Sequence, residues 1–509
     1  MFEFVIGVVL LVPMFVMLRV LPILGDRYQG CDAYNILLNA EAFRKSWKLP
    51  IVVEPELFVL ERPEQWYPPG FIILCALIPK KILNKYFWVV NHIVDCVSAL
   101  VLYGVAVHFG AGVPLALLFA LLYGISAGLV IEFSALNVRP FGLLLFNVLM
   151  CLSYAGVYRG EYDSILLFLL LLVCVLLFFS HKLSLQQLWF TLPVVSFMTM
   201  EFEFILIVLA IYCLPFVIWP SGARRIVVGH WNIVLFWARN WKNLGAHIVR
   251  QSPVYGGNHN STSFYDQKNE AGAIGFLKNT LHQNYFLFPF IVIFVEGNYG
   301  ENQYFLYFLS AWVSSVYILG FSVHFFKCLR GIGLGRQYFK FSLFPALCGC
   351  AIGISGESSA FAIGLTICCA ILTCRQYLLI LRTNMKRSNL ATEGAADNSL
   401  RDILHTIAED GEVCVMCFPV HLCDFVAYKT QKRVYWGTHS DVFDVRLEQF
   451  FPVLKKDLSY YVKDGVNRLL LDSRYVAPEE LRMKGERLLM KSDAYYLYDI
   501  STIQPLEKV

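Results

Sequence analysis

The sequence predicts a mainly α-helical polytopic membrane protein of about eleven transmembrane helices, followed by a small soluble α/β domain. Three observations predict it. Of the 509 residues, 57% are hydrophobic and the mean hydropathy is +0.56, well above the roughly 45–50% apolar usage of soluble domains. The charged residues, 16% of the chain, gather between apolar runs that approach the ~20 residues a spanning helix needs. After Leu381 the pattern changes to short, alternating helical and strand-like pieces. The net charge of +4 is small for this length and leaves no nucleic-acid footprint.

Residues 1 to 24 are apolar, with Pro13, Arg19 and Pro22 inside. They lack the basic start and small-residue cleavage site of a signal peptide, so they read as a retained first helix. Further spans are expected at 86–108, 114–136, 139–157, 164–180, 188–219, 303–326, 338–354 and 358–381. The run 188–219 is long enough for one tilted helix or two short ones, and those at 70–79 and 284–296 span only with help from their flanks. Residues 1–383 thus form the membrane domain, 384–399 a polar linker and 400–509 the α/β domain. In the last, "EVCVMCF", "RLLLD" and "YYLYDI" read as strands and "DVRLEQFFPVLKKDL" as a helix. Most of the 15 cysteines lie in apolar runs, where a thiol behaves as a small hydrophobe.

Two connectors are long: 25–69 and 221–283. Loops beyond roughly 12–15 residues are usually functional or disordered. In the first, "DAYNILLNAEAFR" is rich in helix formers and stops at "KLP". On a helix, Asp32, Asn35 and Asn39 fall within about 60° of one another, whereas Glu41 lies opposite Asp32. Asp32 reads either as a helix N-cap or as a working carboxylate. Asp26, six residues earlier, supports Asp32, ligates a divalent cation or is simply solvated. Arg336 and Lys340 are four apart and share a helical face. Lys327, Arg330, Arg336 and Lys340 before one helix, and Arg382, Lys386 and Arg387 after the next pair, place the C-terminal domain in the cytoplasm by the positive-inside count alone. Glu132, Glu201 and Glu203 interrupt apolar stretches and are functional candidates, unless a helix break turns them into loop residues. Cys414 and Cys417 point to opposite faces of a strand, which opposes a zinc site with His421. Plain burial and a Cys417–Cys423 disulfide are the remaining readings. "NST" at 260–262 fits a glycosylation acceptor.

"D-A-Y-N-x-L-x-x-A-E-x-x-R", directly after the first helix and followed by "K-L-P", resembles the first external loop of the GT-C superfamily of polytopic glycosyltransferases. That superfamily includes protein O-mannosyltransferases, aminoarabinose transferases and the oligosaccharyltransferase catalytic subunit. Many members carry Asp-Glu where this chain has Asp32-Ala33. "EQWYPPGFIILCAL" with Tyr67, "NVRPFGLLLFN" with Arg139, "SHKLSLQQLWF" with His181 and Lys182, and "GRQYFKFSLFPALCGCAIGI" with Arg336, Tyr338 and Lys340 resemble later segments of the same family in the same order.

The resemblance implies an inverting glycosyltransferase that moves a sugar from a polyprenyl-phosphate-linked donor to a glycan, lipid or protein acceptor. Asp32 is then the catalytic base, with Asp26 in reserve. Asn35, Asn39, Tyr67, Arg139, His181, Lys182, Arg336, Tyr338 and Lys340 are the substrate-binding candidates. An arginine fork suits the departing phosphate, and Tyr338 is expected to orient it. A divalent cation, Mg or Mn, is the one cofactor the resemblance leaves open. The expected setting is the bacterial plasma (inner) membrane, with contacts to membrane lipids and with the active site and C-terminal domain extracytoplasmic. The rival readings are a lipid-linked sugar flippase or transporter, and a polysaccharide polymerase or ligase.

Overall fold

The computed structural model describes residues 2–24, 30–54, 56–59, 67–159, 163–241, 273–297, 302–356, 358–391, 395–419, 422–437, 457–474, 476–481 and 486–503. Asp26, His421, the 260–262 tripeptide and nearly all of the helix expected over 444–458 lie outside these residues. The chain divides into two compact units. One comprises Met1–Arg27, Tyr86–Arg224 and Ala273–Arg387, and the other Tyr28–Lys85, Arg225–Gly272 and Ser388–Val509.

The first unit is helical. Its elements are α1 (Phe2–Val20), the body of α4 (Lys80–His108), α5 (Val113–Ile125), α6 (Ala127–Glu132), α7 (Arg139–Arg159), α8 (Ser164–Phe178), α9 (Lys182–Thr199), α10 (Glu203–Ile218), the start of α11 (Pro220–Asn240), α12 (Ala273–Gln283), α13 (Leu287–Glu296), α14 (Gln303–Phe325), α15 (Leu343–Ser355) and most of α16 (Ala360–Ala391). Ile165, Phe168, Phe197, Leu206 and Ile371 point outward and are exposed. Such a surface is stable in hydrocarbon, where the apolar exterior has no reason to be covered.

Among the described residues, six helical segments have the length and hydropathy to cross a membrane: Phe2–Ile23, Lys80–His108, Arg139–Tyr158, Gln303–Phe325, Gly335–Ser355 and Ala360–Asn384. Val113–Ile125, Ser164–Phe178, Glu203–Ile218 and Leu287–Glu296 are apolar but shorter. The expected count of about eleven is therefore not reproduced by length, because several apolar runs are interrupted. The run over 114–136 breaks at Ser126, between α5 and α6. The run over 188–219 breaks at Met200, whose φ of 61° ends α9. Glu201 then lies in a turn and Glu203 is the exposed first residue of α10, so both belong to a helix break rather than to a buried intramembrane site.

Helices extend into both segments read as connectors. The segment 384–399 was to be a linker, yet α16 continues to Ala391 and another helix, α17 (Ala395–Glu409), starts soon after. "NMKRSNLA" contains no Gly or Pro and several good helix formers, so the helix runs past its apolar part. The connector 221–283 is likewise bounded by α11 and α12.

The second unit joins the first loop to the C-terminal domain. Its helices are α2 (Gly30–Ser46), α3 (Gly70–Leu77), α17 and α18 (Leu422–Thr430). Its sheet comprises β1 (Cys414–Phe418), β2 (Arg433–Val434), β3 (Arg468–Asp472), β4 (Arg487–Ser492) and β5 (Tyr495–Asp499), in the order β2-β1-β3-β5-β4. β2, β1 and β3 run parallel, and β5 and β4 complete the sheet antiparallel. "CVMCF" is apolar throughout because every residue of β1 is buried, as befits a central parallel strand. β4 lies at an edge and carries Arg487 and Lys491, charges that discourage further pairing. At the other edge the first loop reaches in: Leu57 O accepts from Val434 N at 2.8 Å, and Val59 N donates to Val434 O at 3.1 Å. α3 has only eight residues and is not a spanning helix by itself.

Candidate functional site

The expected site residues fall into two groups, one in each unit. In the helical unit the group is built around Glu132. α6 ends at Glu132 and α7 begins at Arg139, and the turn between them is tied by Asn137. Asn137 Nδ2 donates to Glu132 O at 3.0 Å and to Ala135 O at 2.8 Å, while its Oδ1 accepts from Arg139 N at 2.9 Å. The closed turn brings Arg139 Nη1 to 3.0 Å from Glu132 Oε1. Lys340 Nζ reaches the same oxygen at 2.6 Å, and its side chain is 1% exposed. Arg336 is within electrostatic reach of that carboxylate. Two cations thus share one acid, with a third beside them.

The segment expected as a helix from residue 338 is instead two short 3-10 turns, Gly335–Gln337 and Phe339–Ser342, ahead of α15. Arg336 and Lys340 therefore do not share an α-helical face. Lys340 points into the protein, toward Glu132 and the rings of Phe133 and Phe341, and it drops out of the count of interfacial cations. The turns press against α14. A Cβ on Gly335 would sit 2.2 Å from Gly320 O, so only glycine lets the backbones meet there.

His181 and Lys182 stand at the start of α9. His181 is the N-cap: its Nδ1 accepts from Ser184 N at 3.4 Å and lies 2.9 Å from Ser184 Oγ. The ring is buried and serves the helix start. Gly142 allows α7 to touch this point, since a Cβ there would be 2.5 Å from His181 Cβ and 2.6 Å from Ser184 Oγ. Tyr338, fully buried, has its hydroxyl 3.1 Å from both Gln186 Oε1 and Ile332 O. In these bonds it clamps the 3-10 turns to α9. The fold therefore brings Arg139, Lys340 and Arg336 to Glu132, while α9 packs against α7 at Gly142 and against the Tyr338 turn at Gln186.

In the second unit Asp32 is the third residue of α2, half-buried. The helix begins at Gly30, so Asp32 is not the cap but lies in the first turn, where a carboxylate favours the helix dipole. Ala33 beside it is fully buried. Asn35 and Asn39 are buried as well. Asn35 Nδ2 stands 3.5 Å from Asp424 Oδ1 on α18, and Asn39 Nδ2 donates to Asn35 O at 2.9 Å. Tyr34 packs edge-on against Phe425, with ring centroids 4.7 Å apart. The polar stripe is therefore a seam between α2 and α18. Arg44 caps the end of α3 through Cys75 O, Ala76 O and Ile78 O, at 2.9, 2.8 and 2.6 Å. Lys45 pairs with Glu54, and Lys80 with Glu41. Tyr67 is half-buried, just before the buried prolines at 68 and 69 that lead into α3.

In the sheet, Cys414, Cys417 and Cys423 are free buried thiols, so the bridge between the last two is not formed. Burial pushes the Cys414 thiol up to about 12 and the Cys417 thiol well above its ordinary range. Among the described residues, no three His, Cys, Asp or Glu side chains gather as a metal site.

Sequence reasoning missed one charged group. Arg19 Nη2 and Asp95 Oδ2 form an ion pair at 2.5 Å, both side chains at most 1% exposed, and Tyr123 OH donates to Asp95 Oδ1 at 3.2 Å. The signal was the "NHIVD" stretch at 91–95, polar at i, i+1 and i+4 inside an apolar helix.

Solved structures share this architecture. An oligosaccharyltransferase from Archaeoglobus fulgidus, tethered to an acceptor peptide with the NVT sequon, superposes with a TM-score of 0.60 at 13% identity over 92% of this chain and 69% of its own. ArnT from Cupriavidus metallidurans, bound to undecaprenyl phosphate, gives 0.54 at 10% identity over 96% and 97%. Both neighbours are GT-C superfamily members. This chain has the GT-C fold. A further structure of the archaeal enzyme, in complex with an inhibitory peptide and a dolichol-phosphate, matches at 0.53 and 12% identity over 92% and 69%. No family profile and no curated protein matches the sequence. At these identities the likeness concerns the GT-C architecture alone.

Proposed function

We propose that this protein is an inverting glycosyltransferase that takes a sugar from a polyprenyl-phosphate carrier in the membrane and transfers it to a glycan, lipid or protein acceptor on the extracytoplasmic side. The observation that carries this reading is the gathering of Arg139, Lys340 and Arg336 around a single carboxylate. It does so in a fold whose solved members hold undecaprenyl phosphate and dolichol-phosphate.

In this reading a carboxylate oxygen of Asp32 takes the proton of the acceptor hydroxyl. The oxygen so freed attacks the anomeric carbon from the face opposite the phosphate, the bond from that carbon to the phosphate oxygen breaks, and the configuration inverts. Polyprenyl phosphate leaves with the bonding pair. Arg336 offers the fork that fits the phosphate, while Arg139 and Lys340, with one negative charge between them, supply positive potential. Such preorganised charge in a dry site is worth several kcal/mol where negative charge develops. The leaving group needs no proton, so no general acid is required. Asp26 is the reserve candidate for the same role. A Mg or Mn ion finds no ligand set among the described residues, and no step passes through one.

The protein is read as a bacterial inner-membrane enzyme with its 400–509 domain outside. In right-side-out vesicles that domain is then cut by added protease, and its protection would overturn this orientation. The reaction itself is tested with purified protein and a panel of polyprenyl-phosphate sugars. Release of free polyprenyl phosphate that depends on an acceptor supports the transferase; passage of the intact carrier across a bilayer without release would instead identify a flippase.

A further inference from the structure

The buried Arg19–Asp95 pair has no place in the chemistry above, and stability does not account for it. Replacing a buried ion pair by apolar groups is often neutral or stabilising, because desolvation offsets the attraction. Its surroundings show what it touches. Arg19 closes the last turn of α1, donates through Nη1 to Gly124 O at 3.4 Å, and has its guanidinium 5.8 Å from the Phe133 ring centre. Lys340 Nζ lies 5.8 Å from the same ring centre. Asp95 belongs to α4, and one turn earlier on that helix Asn91 Nδ2 donates to Ala135 O at 2.5 Å. Tyr123 on α5 holds Asp95 from the other side. One polar face of α4 thus grips α1, α5 and the turn between Glu132 and Arg139.

We infer that Arg19, Asp95 and Tyr123, together with Asn91, form a positioning device that sets the turn over 132–139 and so aligns Glu132, Arg139 and Lys340 for the lipid phosphate. The 3.0 Å contact of Arg139 with Glu132 requires the turn to close, and the 2.6 Å contact of Lys340 requires Phe133, the next residue, to stay in place. Both requirements are met on the Asp95 side of α4. None of the four residues touches substrate; they act through the cluster. This inference rests on the proposed reading of the cluster as a phosphate site.

The test measures binding of a polyprenyl phosphate to the full-length protein in nanodiscs, alongside its thermal midpoint. Asp95→Asn keeps the shape but leaves the Arg19 charge unmatched, and binding should weaken about tenfold or more, as removing one partner of a buried charge pair is strongly disruptive. Tyr123→Phe removes one hydroxyl and should weaken binding roughly threefold with little change in the midpoint, in line with the net ~0.5–1.5 kcal/mol of one hydrogen bond. The double variant Arg19→Gln with Asp95→Asn restores charge balance and should recover most of the loss. Binding within about twofold of wild type in both single variants overturns the inference. So does a loss that follows the thermal midpoint through all three, which would mark a general structural role. A wild-type protein that binds no polyprenyl phosphate overturns the proposed function and this inference together. Tight wild-type binding that Asp95→Asn leaves intact overturns the inference alone.

Discussion

The Glu132 cluster makes an asymmetric prediction about charge removal. Glu132 accepts from both Lys340 at 2.6 Å and Arg139 at 3.0 Å. Lys340→Met deletes one cation and leaves Glu132 paired with Arg139; the methionine still packs on Phe133 and Phe341. Glu132→Gln removes the carboxylate that both cations share and leaves them facing each other. Lys340 cannot turn to water, since its side chain is 1% exposed, whereas that of Arg139 is 35% exposed and partly screened. Stranding a buried charge costs about 3–5 kcal/mol, so Glu132→Gln should lie in that range. Lys340→Met should cost less, about 1–3 kcal/mol, because one charge-assisted bond to the acid survives. Denaturant titration in detergent, followed by tryptophan fluorescence, reads both. Equal losses in the two variants, or a larger loss for Lys340→Met, would refute the shared-acid account.

Other consequences concern packing and access. Gly335→Ala places a methyl 2.2 Å from a backbone oxygen that no side-chain rotation relieves; it should cost about 1–3 kcal/mol and raise the apparent donor constant by shifting Arg336. Tyr34→Ala empties the seam between α2 and α18 and should cost about 3–5 kcal/mol, read as faster hydrogen exchange over residues 30–46. Burial pushes the Cys414 and Cys417 thiols up, the former to about 12. Both therefore stay protonated and should resist a hydrophilic maleimide up to about pH 9, while the exposed Cys328 labels readily; labelling of Cys417 in the native protein would contradict the sheet.

Much of this fold was legible because its signals are local. Apolar runs located the helices, and "CVMCF", "RLLLD" and "YYLYDI" located three strands. The two-residue β2 and the exposed edge strand β4 carry weak patterns and were not foreseen. Of the motifs read in order, those around Arg139 and Arg336 meet at Glu132. What pairs with what was not legible. Asn35 and Asn39 have the spacing of a binding stripe, and only the distant Asp424 and Phe425 make that stripe a seam. Lys340 sits among interfacial cations in sequence, but a 3-10 turn rather than an α-helix aims it inward at Glu132. The first loop shares a sheet edge with Val434, nearly four hundred residues away in the chain, a contact no local pattern encodes. Asp95 was overlooked because one acid barely lowers the mean hydropathy of a 29-residue helix.

The central claim is that Asp32 is the base of a transfer from a lipid phosphate, and one substitution tests it directly. Asp32→Asn keeps the size and polarity of the side chain in the first turn of α2 but cannot take a proton at neutral pH. With a donor that the wild-type protein turns over, the variant should lose at least about a hundredfold in acceptor-dependent release of polyprenyl phosphate, the lower end of what general base catalysis contributes, while still binding the carrier. Release at the wild-type rate by Asp32→Asn would contradict the account.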